Sequence, residues 1–128
     1  MEPSNVAPAK PAQAFEIHPT EGETILLHGW LRGYAQYEQQ WRRNAQPYPN
    51  NTDTRHIRQE VYEASNGHWV LVETIIEGNT ARLDARLCYC WHFESKACVR
   101  ARFYHCEHTR ALFEFCGLPY QVVVGGDA

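Results

Sequence analysis

The sequence predicts a single α+β domain, an antiparallel sheet packed on helices, and three stretches carry that prediction. Trp30, Tyr34, Tyr37 and Trp41 recur at spacings of four, three and four, the period of one helical face. Asn66-Gly67, the strongest short hairpin signal, sits between two runs with strand character. Leu83 to Glu94 alternates along its whole length. Leu83, Ala85, Leu87, Tyr89, Trp91 and Phe93 fall on one face, and Asp84, Arg86, Cys88, Cys90, His92 and Glu94 on the other.

The elements follow in chain order. Residues 1–14 hold three of the seven prolines and no periodicity, so they read as a flexible leader to a domain over 15–120, with 121–128 a tail. Phe15 to His18 and Ile25 to Leu27 are short strands about a turn marked by Pro19 and Gly22. Gly29 to Asn44 is the aromatic helix, stopped by the prolines and asparagines of AQPYPNNTD. His56 to Ala64 and Trp69 to Glu77 form the hairpin, and Gly78 to Thr80 turns the chain into the alternating strand. A two-residue turn at Ser95-Lys96 returns it as a last long strand, Cys98 to His105. Thr109 to Cys116 is a short helix ended by Gly117 and Pro119.

Composition bounds the function. A chain of 128 residues buries enough surface for a core of its own. A net charge of -3 argues against nucleic acid or an anionic membrane as partner, since basic faces meet both. No apolar run approaches the roughly 20 residues of a membrane span, and MEPSNVAPAKPAQA lacks the basic start and apolar core of a signal peptide. The expected location is the cytoplasm. There, an odd count of five cysteines reads as reduced thiols.

The stretch LCYCWHFESKACVRARFYHC concentrates four of those cysteines with two histidines. In the register that a Ser95-Lys96 turn sets, Cys88, Cys90 and His92 share a face with His105, while Cys98 and Cys106 lie opposite. Zinc needs at least three ligands converging on one point, and residues two apart on a strand diverge by about 6 to 7 Å. No metal site is expected. Free thiols pack as small hydrophobes instead.

WHFESKACVRARFYHCEHTRALFEFCGLP, taken with HGWLRGYAQYEQQW, resembles the nuclear-transport-factor-2-like superfamily and, within it, the SnoaL-like group of small polyketide cyclases. Trp91 and Phe93 match the group's W-x-F, Ser95-Lys96-Ala97 takes the place of its turn, and Val99-Arg100-Ala101-Arg102 its Arg-rich strand. Tyr104 fits its tyrosine, and Cys116-Gly117-Leu118 its close. The resemblance implies a cone-shaped roll, a curved antiparallel sheet packed on helices, with a small apolar or cyclic ligand in its cavity, no cofactor, and a homodimer through the sheet. It departs at two points: Cys106 stands where the group carries an acid, and the two helices usual before the first strand are lacking.

What the resemblance implies for activity leaves two readings. The first is a lyase, isomerase or cyclase in which His92 acts as base with help from Asp84 or Glu107, because burial moves an imidazole or carboxyl toward neutrality. Trp30, Tyr34, Tyr62, Arg86 and Cys90 would then bind substrate, with the Tyr62 and Tyr104 hydroxyls as donors to an oxyanion. The second is a non-catalytic ligand-binding or dimerisation module whose pocket has lost its acid. On the opposite face Arg100, Arg102, Tyr89 and Trp91 have the aromatic and arginine composition of a dimer contact.

Overall fold

A computed structural model of the chain describes residues 10–42, 52–79, 82–103 and 105–120, with the side chains of 40–42, 52–53, 78–79 and 82–85 outside that description. Its five strands are β1 (Gln13–Ile17), β2 (Ile25–Arg42), β3 (Thr52–Ala64), β4 (Trp69–Asn79) and β5 (Arg82–Phe93). They pair antiparallel in sequence order. Among the described residues a 3-10 turn at Lys96–Cys98 follows, then a helix, α1 (Glu107–Phe115).

The sheet is strongly curled into half a barrel. Contacts between its edges show the curl. β1 and β5 lie at opposite edges, yet Phe15 and Ile17 join Cys88 and Cys90 in one cluster with Tyr62, Val70 and Val72. The β1–β2 loop fastens the arrangement. The Thr20 N–H donates to the Cys88 carbonyl at 2.9 Å, and Thr20 Oγ1 accepts the Cys88 N–H at 2.6 Å. The cluster therefore lines an inner face.

The outer face carries the larger core. Val61, Trp69 and Leu71 pack there against Val99, Phe103, Leu112, Phe113 and Leu118. Gly117, at φ 70°, ends α1, with the Leu118 N–H donating back to Phe113 O at 2.9 Å. The β3–β4 hairpin turns where Asn66-Gly67 predicts: Gly67 has φ 92°, and Asn66 Oδ1 accepts the His68 N–H at 3.1 Å. The alternation of β5 also holds for the described side chains. Cys88 belongs to the inner cluster, while Trp91 and Phe93 pack against the outer core.

Two predicted elements are corrected. The aromatic helix is strand β2, paired with β3 from Gly29 to Arg42. A bulge between Leu31 and Gly33 shifts the register, so Trp30, opposite Glu63, lies on the outer side, Tyr34, opposite Glu60, on the inner side, and Tyr37, opposite Ile57, on the outer. The spacing of three and four thus supplies two sheet faces rather than one helical stripe. Pairing along thirteen residues overrides the local period.

The predicted last strand, Cys98 to His105, is not in the sheet. Lys96–Cys98 forms the 3-10 turn in place of a two-residue hairpin turn, and Arg100 Nη1 ties it down by donating to Ala97 O at 3.0 Å and Val99 O at 2.9 Å. The period of two is real, since Val99 and Phe103 are buried, but these side chains press onto the outer face. Trp91 meets Phe103 edge-on, with centroids 5.9 Å apart, so the aromatic face assigned to a dimer contact is covered in part by the chain's own segment. Tyr104, the leader over 1–9, most of AQPYPNNTD and the tail lie outside the described residues. β1 begins at Gln13, two residues ahead of the expected domain start.

Candidate functional site

The inner face gathers most of the binding residues picked from the sequence. The strand register aligns Tyr62, Val70 and His92 in one row, then Tyr34, Glu60, Val72 and Cys90. Gln36, Arg58, Thr74 and Cys88 come next, and Glu38, His56, Ile76 and Arg86 last. Tyr34, Tyr62, Arg86, Cys90 and His92 therefore share one surface. They do not share one point, since Arg86 and His92 lie six positions apart along β5, about 20 Å.

His92 occupies one end. Its Nε2 lies 2.7 Å from Nδ1 of His68, with ring centroids 4.8 Å apart. In such a pair one nitrogen donates and the other accepts. The pair borders an open recess of about 440 Å³ with Ile25, Leu27, Ala64 and Val70 among its walls. His68 Nε2 and His92 Nδ1 have no protein hydrogen-bond partner among the described residues.

The middle is filled. Tyr62 is 6 % exposed, stands edge-on to Phe15 and donates its hydroxyl to Glu60 Oε2 at 3.0 Å. Burial, then the charge of Glu60 and the bond to it, hold that phenol above its usual range. Burial, followed by the neighbouring Cys88, pushes the Cys90 thiol up to about 12. A protonated, shielded thiol is no nucleophile, so Cys90 acts here as wall.

At the far end, Arg58 pairs with Glu60 at 3.0 Å and lies 4.5 Å above the ring of Tyr34. Arg86 lines two adjoining recesses beside it.

Two expected residues stand apart, and a third has its side chain outside the described residues. Trp30 donates its indole N–H to Lys10 O at 2.8 Å and lies under the Arg32 guanidinium. Glu107 opens α1, which packs on the outer face, so it does not join His92. Asp84 falls in β5 two residues before Arg86, with its side chain outside the described residues.

Sequence reasoning missed two features. His68 is one, and its signal was available: it directly follows the Asn66-Gly67 turn, and the pairing of Val70 with His92 brings it diagonal to that residue. The other is a buried polar chain beneath α1. Gln59, with no exposed surface, donates from Nε2 to Glu73 Oε2 at 3.0 Å and Tyr37 Oη at 3.3 Å, and accepts from Thr109 Oγ1 at 2.9 Å. Both of its polar side-chain atoms are thereby engaged.

Cys106, the N-cap of α1, has its Sγ 3.5 Å from Thr109 Oγ1. Burial pushes its thiol up, but hydrogen bonding to Tyr37 and Thr109 outweighs that and lowers it. The first-turn N–H groups of His108 and Thr109 help without closing a cap bond. Among the described residues no group of three or more histidine, cysteine or acidic side chains is placed to hold a metal ion. No protein family model matches the chain, and no curated protein or solved structure matches it.

Proposed function

We propose that the chain binds a small, largely apolar or cyclic molecule in the recess beside His68 and His92, with the imidazole pair as its polar anchor. One observation carries the reading: a 2.7 Å histidine pair, with its outer nitrogens unengaged among the described residues, borders a recess walled by aliphatic side chains. Apolar walls with a few convergent polar groups are the usual makeup of a ligand site. A ligand carbonyl or hydroxyl would meet an unengaged imidazole nitrogen while its ring covers Val70 and Leu27.

The same pair supports proton transfer as a second reading. If His92 takes a proton from a carbon next to a ligand carbonyl, His68 accepts a hydrogen bond from the imidazolium and steadies it, which is what an isomerase or cyclase step requires. The finer architecture, a cone-shaped roll of the SnoaL-like kind, belongs to the same proposal, supported by the strongly curled antiparallel sheet. So does a homodimer through the sheet.

Saturation-transfer NMR with cyclohexanone, phenol and cyclohexene oxide tests the binding. Millimolar contact is expected with the wild type. Ala64→Trp, which fills the recess, should abolish it, and His92→Ala should weaken it. No contact from any probe, or equal contact in both variants, rejects the site. Deuterium exchange at the α-carbons of cyclohexanone in D2O tests the proton transfer. Exchange above solvent background that disappears in His92→Ala supports it, and background exchange in the wild type leaves binding alone.

A further inference from the structure

At the other end of the inner face, we infer a second ligand site: the Arg86 recess binds a small organic monocarboxylate, its head on the guanidinium and its apolar body against Ile17, Tyr62 and Val72. Two adjoining hollows of about 490 and 580 Å³ meet there and share Glu60, Thr74 and Arg86.

Charge accounting singles out Arg86. Arg58 is paired with Glu60 at 3.0 Å, His56 with Glu38 at 3.4 Å, and His18 with Glu16 at 3.1 Å. Arg86 has no ion pair or hydrogen bond among the described residues. Glu60 does not serve it: its Oε2 is held by Arg58 and the Tyr62 hydroxyl, and no Arg86–Glu60 ion pair is formed among the described residues. One guanidinium is left lining the hollow with no partner among the described residues, and a planar carboxylate is its natural bidentate partner.

The walls narrow the ligand class. Ile17, Tyr62 and Val72 are buried side chains of the inner cluster, so the body that lies on them is hydrocarbon or aromatic. Glu16 and Glu60 line the same hollow, and like charges repel an anion carrying more than one negative charge. A monocarboxylate is thus preferred over phosphate. The site shares no lining residue with the histidine recess and stands independently of it.

Benzoate, benzamide and inorganic phosphate, titrated into the 15N-labelled full chain at low salt, decide the matter. Benzoate should shift the amides of Val72, Thr74 and Arg86 with millimolar affinity, and benzamide and phosphate should bind at least tenfold more weakly. Arg86→Gln, a change at an exposed side chain whose fold circular dichroism would verify, should weaken benzoate at least tenfold. Arg86→Lys should recover part of that loss. Benzamide as tight as benzoate, phosphate tighter, or an unchanged Arg86→Gln variant would each overturn the site. So would shifts confined to His68, Val70 and His92, or no benzoate shift at 20 mM.

Discussion

Cys106 and Tyr37 show how one contact divides a proton between two acids. Burial alone raises both groups. The hydrogen bond between them then acts with opposite sign, holding the proton on the phenol and favouring the thiolate. Gln59 keeps the phenol in place from the other side. Cys106 should therefore retain thiolate at a pH where an ordinary thiol is protonated. Alkylation by iodoacetamide, followed site by site by mass spectrometry between pH 5.5 and 9, should modify Cys98 and Cys106 before Cys88, Cys90 and Cys116. The rate for N-acetylcysteine measured alongside should fall about tenfold per unit of pH below the ordinary thiol value, while the rate at Cys106 holds to lower pH. Tyr37→Phe should move the Cys106 profile upward. Identical profiles for Cys106 and N-acetylcysteine would remove the assigned role of Tyr37.

β2 makes the most exacting demands of any element. At Gly33, where the register shifts, an alanine Cβ would lie 2.9 Å from Cys116 Sγ and 3.1 Å from both Leu112 Cδ1 and Phe115 Cδ2. The close approach of α1 to the sheet thus depends on the missing side chain. Gly33→Ala should cost about 1 to 3 kcal/mol in urea unfolding, the usual range for overpacking, and should raise amide exchange in α1 more than in β4. Unchanged stability with α1 still protected would mean that the helix yields freely. The same strand shows where sequence reading stops. The β3–β4 hairpin, β5 and α1 were legible because each carries a local device: Asn66-Gly67, clean alternation, and the closing Gly117. β2 was not, because its aromatic residues serve two faces through a bulge, and a bulge is decided by the partner strand. Cys98 to His105 has a strand period but, among the described residues, no strand to pair with. Of the site, the shared face of Cys90, His92 and Arg86 follows from alternation alone. The partnership of His92 with His68 needed the register between β4 and β5, and Cys106 needed the position of α1.

Across the whole molecule, both cores lose stability toward alkaline pH, and Cys106 at the start of α1 acts the other way. Cys90 lies at the inner cluster, with its thiol pushed up to about 12 by burial and by Cys88. Cys116 packs against the outer core, with its thiol pushed up to about 11 by burial. Both hold a proton in the folded state that the unfolded chain releases near pH 9. Their stabilising contribution is complete below pH 9 and is lost as pH rises through 11 and 12. The raised phenols of Tyr37 and Tyr62 act in the same direction from about pH 10. Cys106 acts in reverse. Its folded value lies below 9, so its contribution is complete above 9 and declines as pH falls through that lower value. The sum is a shallow rise toward the pH 8 to 9 region followed by a steeper fall. Urea midpoints measured from pH 6 to 12 should trace that shape, and thiolate absorbance at 240 nm in the folded protein should lag behind that of the unfolded chain. Cys90→Ala removes one raised group and should flatten the alkaline limb, even though the cavity lowers the whole curve. An alkaline limb of the same slope in that variant would show that the inner cluster admits water and leaves Cys90 with an ordinary thiol.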